Sequence, residues 1–199
     1  MAKGRRKKTK LTITSKDKEF LQTLAKTGRT TKELASRYFN IKPSRIDQMI
    51  REGFLKKEPI VIKKKSSYCF KLGDKGRKWV KENIGTVNNL CKPSRQGTTH
   101  DLHLFEELAK QPKVLRDAAM TEYDIINTYG CIKELSPPDL YIPPVSLKEK
   151  DGSVSYYTPQ AIEITTRNYR LHEIKGKFDF CKHFLNLDRR SVKIVKASY

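Results

Sequence analysis

The stretch Pro43-Ser44-Arg45-Ile46-Asp47-Gln48-Met49-Ile50-Arg51-Glu52-Gly53, with the run FLKKEPIVIKKKSSYCFKL that follows it to Leu72, decides the fold. Pro43 suits a first helical turn, where its missing N–H costs nothing. Ile46, Met49 and Ile50 fall at i, i+3 and i+4 and form one apolar face. Ser44, Arg45, Asp47, Gln48 and Arg51 occupy the other side, and Gly53 stops the helix. Phe54-Leu55 closes a core. Ile60-Val61-Ile62 and Tyr68–Leu72 are then two β-rich runs around Lys63-Lys64-Lys65-Ser66-Ser67, which predicts a hairpin with a basic tip.

Upstream, Ser15 is the expected cap of a helix reading SKDKEFLQTLA, with Asp17 and Glu19 in the first turn, where the helix dipole favours acids. Phe20, Leu21 and Leu24 supply its apolar face and Gly28 ends it. Thr30 or Thr31 caps a second helix with Leu34, Ala35 and Tyr38 or Phe39 turned inward. Downstream, Gly73-Asp74 opens a fourth helix anchored by Trp79. Helix, helix, helix, strand, strand, helix over residues 12–85 resembles the winged-helix DNA-binding superfamily. The resemblance implies that the third helix enters a major groove. Arg45, Gln48 and Ser44 would read base edges, since Arg pairs bidentately with guanine and Gln with adenine. Lys42, Arg51, Lys63, Lys64 and Lys65 would meet phosphates. The competing readings are a helical hairpin with a solvated charged face and a winged helix that binds protein.

Charge supports a polyanion partner. The 199 residues carry 42 Lys and Arg against 22 Asp and Glu, a net +20. Residues 1–100 hold 27 basic and 8 acidic side chains, and residues 101–199 hold 15 and 14. The excess therefore belongs to one half, as expected of a nucleic-acid-docking module joined to something else. Met1–Lys10 contributes six of the cations and no acid, and is expected to be a disordered arm able to lie along phosphates or simply to be solvated. No apolar stretch follows it, so it does not read as a secretory signal, and no run of about 18 apolar residues suggests a membrane span. Four cysteines at 69, 91, 131 and 181 form no CxxC pair, which disfavours a zinc ribbon and fits a reducing cytoplasm.

The second half reads differently. Residues 87–99 are a polar linker with Pro93 and Gly97. His100–Ala109 is an amphipathic helix with Leu104, Phe105 and Leu108 inward. Asp117–Asp124 is open between helix and loop, and Tyr129–Glu134 is a candidate strand. Pro137-Pro138-Asp139 turns into the strand Leu140–Ile142, Asp151-Gly152 marks a hairpin tip, and Ser155–Thr158 and Ala161–Thr165 are further strands. Arg170–Leu185 is a helix and Val192–Val195 a closing strand. The predicted whole is α+β: a basic arm (1–14), a winged helix-turn-helix (15–86), a linker (87–99) and a small α/β nuclease-like domain (100–199).

Asp139 at the mouth of a strand and Glu163 within an apolar strand stand out, because a carboxylate in a buried strand is costly unless paired or metal-bound. Pro-Asp, a hairpin, then Glu in a strand resembles the PD-(D/E)xK nuclease superfamily. The resemblance implies that Asp139 and Glu163 hold Mg²⁺ and take part in catalysis. The family's lysine falls at Thr165, so a cation would have to come from Lys175 or Lys177 on the next helix, and a third carboxylate from Glu106 or Glu107. The alternative is a nuclease-like fold without chemistry, its acids satisfied by hydrogen bonds.

Over residues 15–190 the order winged helix, His100-Asp101-Leu102, Pro138-Asp139, Ala161-Ile162-Glu163-Ile164 and a Lys/Tyr/Phe-containing helix resembles the replication-relaxation family of plasmids, phages and integrative elements. That implies double-stranded DNA binding near an origin, no cofactor for binding, and partnership with a relaxase or replication initiator, with a homodimer as a further expectation. A nuclease or a transcriptional regulator are the rival expectations. His100 and His103 sit at i, i+3, but capping by His100-Asp101 is the favoured reading over a metal pair. No glycine-rich phosphate loop and no GxSxG occurs, which disfavours a nucleotide-driven motor or a serine hydrolase.

Overall fold

The computed structural model describes residues 11–62, 65–87, 89–93, 97–132, 135–149, 151–166 and 169–197; the expected basic arm to Lys10, and Lys63 and Lys64 of the hairpin tip, lie outside them. The chain is mixed α+β, with none of the described helices long and apolar enough to cross a membrane.

Helix α1 (Ser15–Thr27) is capped by Thr14 rather than Ser15. The Thr14 hydroxyl accepts from the Asp17 amide and the Asp17 carboxylate accepts from the Thr14 amide, a reciprocal pair that satisfies two orphan donors. Thr31, not Thr30, caps α2 (Lys32–Phe39), and Pro43 opens α3 (Pro43–Arg51). Strands β1 (Leu55–Ile62) and β2 (Lys65–Leu72) pair antiparallel from Leu55↔Leu72 to Ile62↔Lys65. Thr30 exchanges both backbone hydrogen bonds with Phe70, so the link between α1 and α2 adds a third short strand to this hairpin. Helix α4 (Asp74–Asn83) closes the unit. It approaches so closely that a Cβ on Gly76 would sit 2.2 Å from the Phe54 carbonyl oxygen, which only glycine permits.

Helix α5 (Thr98–Ala109) joins the halves. Its Leu102, Phe105 and Ala109 enter the core built by Phe20, Leu24, Phe39, Ile46 and Met49, with Phe105 meeting the rings of Phe20 and Phe39. Its Leu104 and Leu108 enter the second core with Leu140, Ile142, Ile162 and Ile164. Two neighbouring stripes, about 110° apart around one helix, thus fuse two hydrophobic interiors. Of the expected linker, residues 88 and 94–96 lie outside the described residues, and the described part packs on its neighbours: Val87 is buried, the Cys91 amide donates to the Ala25 carbonyl and Asn89 donates to Asp124.

Next come α6 (Lys113–Ala118), β3 (Met120–Thr121) and α7 (Glu122–Tyr129). Of the expected strand at 129–134, Tyr129 ends α7, which is capped at its start by a second reciprocal pair between Thr121 and Asp124, Ile132 makes an isolated bridge with Leu135, and 133 and 134 lie outside the described residues. β4 (Leu140–Ile142), β5 (Val145–Lys148), β6 (Val154–Tyr157), β7 (Gln160–Thr165), α8 (Leu171–Phe184) and β8 (Val192–Lys196) follow. Four strands form one sheet in the order β3-β4-β7-β8, antiparallel except for β7 and β8, which run parallel across the α8 connection. β5 and β6 form a separate hairpin. The β4 and β7 ends that carry Asp139 and Glu163 are therefore adjacent, with α8 packed over them through Phe180 and Cys181.

Candidate functional site

Two places gather chemistry-bearing residues. The first is the outer face of α3. Lys42, Ser44, Arg45, Gln48 and Arg51 line one concavity of about 520 Å³ together with Lys16 at the start of α1. Lys42, Ser44 and Arg51 are exposed, while Ile46 and Met49 on the opposite side are fully buried. Ser44, Gln48 and Arg51 form a continuous stripe at i, i+4, i+7. Arg45 is placed differently from the expectation of a base reader. Its guanidinium holds Asp17 at 2.5 Å and the Thr12 carbonyl at 2.5 Å, and donates to Gln48 Oε1 at 2.9 Å. Burial works against charge on Asp17, but Arg45 and Thr14 more than offset it and hold its carboxyl below the usual range. Arg45 thus ties α3 to the α1 cap and orients Gln48, whose Nε2 has no partner among the described residues. Lys65 is exposed at the start of β2, and Lys57 lies over the half-exposed Tyr68 ring at 3.4 Å on the hairpin face. A solvated α2–α3 pair, Lys32 and Asp47, closes the other flank of α3.

The second place is a cleft of about 690 Å³ between the halves, lined by Lys26, His100, Asp101, Asp139, Tyr169 and Lys177 among others. Asp139 and Glu163 do come together: the Asp139 amide donates to Glu163 Oε2 at 3.1 Å, and Asp139 Oδ2 accepts from the Ile164 amide at 2.8 Å. The cation beside them is Lys177, with Nζ 3.1 Å from Glu163 Oε2 and 2.6 Å from the Pro137 carbonyl. Lys175 points to solvent on the opposite side of α8, because two residues along a helix turn a side chain through about 200°. Glu106 and Glu107 do not join the pair; Glu106 accepts from Tyr38, and Glu107 binds Lys110 and Lys193.

Sequence reasoning missed what surrounds these acids. His100 spans two carboxylates, with Nδ1 3.3 Å from Asp101 and Nε2 3.0 Å from Asp139. Burial opposes charge on the ring, yet the two acids overcome it and push its pKa up to about 10, so both nitrogens donate at neutral pH. Asp101 also takes Arg29 at 2.6 Å, and Arg29 takes Glu58 of β1 at 3.1 Å, which in turn pairs with Lys71 of β2. A chain of alternating charge, Lys71–Glu58–Arg29–Asp101–His100–Asp139, therefore runs from the hairpin into the cleft. Tyr169 donates to Glu163 Oε1 at 2.8 Å. Burial and the nearby Asp139 push the Glu163 pKa up, against the pull of Lys177 and Tyr169.

This donor set does not fit Mg²⁺, which needs several free hard oxygens in octahedral array. Both Glu163 oxygens already accept hydrogens, Asp139 Oδ2 accepts two, and a buried ammonium and an imidazolium stand where a dication would be held. Among the described residues no group of three or more His, Cys, Asp or Glu is arranged to hold a metal ion. The pattern instead satisfies each buried charge with opposite charge and hydrogen bonds, and no buried side-chain polar atom lacks a partner among the described residues. His103 shares the helix with His100 but not its two-carboxylate bridge.

No protein-family model and no curated protein sequence matches the chain.

Proposed function

We propose that this chain is a sequence-selective double-stranded DNA-binding protein whose first half works as a winged helix-turn-helix. The observation that carries the reading is the α3 face, where exposed Ser44 and Arg51 and half-buried Gln48 between them form one stripe flanked by Lys16 and Lys42 in one concavity. A stripe of this composition matches base edges at its centre and phosphates at its margins. Support comes from the connectivity: the Thr30 bridge, α2, α3 and then an antiparallel hairpin is the order in which a wing follows a recognition helix. The reading assigns base contacts to Ser44 and Gln48 and phosphate contacts to Lys42, Arg51 and Lys63–Lys65, with Arg45 as a positioning residue.

The second half is proposed as a nuclease-like scaffold without hydrolytic chemistry, in which Asp139, Glu163, His100 and Lys177 serve to fix β4, β7, α5 and α8. In the replication-relaxation reading it would meet a relaxase or replication initiator, or a second copy of the chain, in the cytoplasm of a bacterium carrying a mobile element. The test is selection of bound duplexes from a random pool, followed by footprinting. An enriched motif with one or two half-sites supports the reading, and the Lys63→Ala, Lys64→Ala, Lys65→Ala variant should lower both affinity and the slope of log K against log salt. Recovery of no motif, with unchanged binding in that variant, would remove it.

A further inference from the structure

The α8 helix carries a surface that the α3 reading leaves unused. The last third of the second half reverses the charge of what precedes it: residues 169–199 hold 8 Lys and Arg against 3 Asp and Glu, whereas residues 101–168 hold 7 against 11. The near-neutral total of this half therefore hides a segregation. Lys175 and Lys182 are exposed about two turns apart on the same stripe of α8, with Phe178 between them at i+3. Arg189, exposed in the short 3-10 turn Arg189–Ser191, stacks its guanidinium 4.9 Å from the Phe178 ring centre. That contact brings the turn onto the helix stripe, so that Arg189 joins Lys175 and Lys182 on one face.

The acids nearby are committed elsewhere. Glu173 takes the Arg170 amide in the α8 cap, and Asp188 accepts from the Ser191 amide and hydroxyl. Asp179 alone stands on the stripe with the cations. None of Lys175, Lys182 or Arg189 has a carboxylate partner within ion-pair distance among the described residues. By contrast, Lys177 on the inner side of the same helix is bound by Glu163. Uncompensated cations clustered on one face, rather than dispersed, are what a polyphosphate backbone selects.

We propose that the Lys175–Lys182–Arg189 surface is a second, sequence-independent docking site for the duplex DNA backbone. This rests on the reading of the first half as a DNA-binding module and deepens it: α3 selects a sequence while α8 holds flanking or neighbouring DNA. The two halves share α5 and the Lys71-to-Asp139 charge chain, so both surfaces belong to one rigid frame.

The experiment uses the full chain and two variants, Lys175→Ala/Lys182→Ala/Arg189→Ala and Ser44→Ala/Gln48→Ala/Arg51→Ala. Each is bound to a selected duplex and to a random-sequence duplex of equal length between 50 and 200 mM salt, after melting curves show that it is folded. Three lost phosphate contacts lower the salt slope by about 2.7, so the affinity gap between wild type and the α8 variant shrinks about 40-fold over that range. The gap is expected on both duplexes, with the preference for the selected sequence kept. The α3 variant should lose that preference. An α8 variant with wild-type affinity and slope, alongside a defective α3 variant, overturns this inference alone and assigns the patch to an acidic protein surface. A defective α8 variant alongside a wild-type-like α3 variant upholds it and overturns the α3 assignment. A wild type with no salt-dependent binding overturns both.

Discussion

Lys26 makes the connection between the halves measurable. It belongs to α1, in the basic half, yet its ammonium is 2% exposed and donates to the carbonyls of Arg116 and Asp117 at 2.8 Å and Ala119 at 2.7 Å, at the end of α6. Burial pushes its pKa down to about 8, with Asp117 and Asp124 pulling the other way, so it remains charged at pH 7. Replacing it with Met keeps the length of the side chain and removes all three donors. Each abandoned carbonyl costs about 1–3 kcal/mol if left dry. Relief from burying the ammonium, several kcal/mol, offsets part of this. The net expectation is a loss of about 3 kcal/mol, or about 6–12 °C in Tm for a chain of this size. Differential scanning calorimetry of Lys26→Met at pH 7 reads it directly, with the exposed Lys18→Met as control. A single transition is expected in both proteins, because α5 feeds both cores. A Lys26→Met variant as stable as wild type would show that the three carbonyls find water and that the contact does not tie α1 to α6.

The His100 bridge gives a pH signature. Its folded pKa of about 10 lies above the ordinary 6.5, so its contribution is fully present below about pH 6.5 and is lost as pH rises through 10. Wild type should therefore lose more stability than His100→Gln between pH 7 and 10 in urea titrations; parallel curves would mean the ring is not charged between Asp101 and Asp139. Incubation with supercoiled plasmid and Mg²⁺ or Mn²⁺ should give no nicking above buffer. Nicking that disappears in Glu163→Gln would show that Lys177 and Tyr169 yield Glu163 to a metal and that the donor argument is wrong.

Much of the first half was legible because its signals are local. The i, i+3, i+4 apolar sets of α1 to α3, the Pro43 and Gly53 boundaries and the two β-rich runs each lie within about a dozen residues. The α1 cap slipped by one, from Ser15 to Thr14, and of the two threonines open for α2 the cap is Thr31. Helix α7 was missed because Glu122–Tyr129 is rich in residues that also suit a strand, and its signal was the Thr121–Asp124 capping pair. Asp139 and Glu163 were found from their unusual settings, but their partners were not. His100 and Asp139 are 39 residues apart, and Arg29 and Asp101 are 72 apart, so no spacing rule connects them. Lys177 could have been preferred over Lys175, since it shares the face of the buried Phe180 and Cys181, the one side of α8 that reaches the sheet.

The proposed role of α3 is to read duplex DNA. It is tested most directly by the affinity of the full chain for its selected duplex relative to a scrambled one, in wild type and in Ser44→Ala, Gln48→Ala and Arg51→Ala singly. Ser44→Ala and Gln48→Ala are each expected to reduce the ratio, a good bidentate pairing with a base being worth about 1–3 kcal/mol of discrimination. Arg51→Ala should instead weaken binding to both duplexes and lower the salt slope by about 0.9. Unchanged ratios in all three variants, with wild type still selective, would place sequence recognition on another surface.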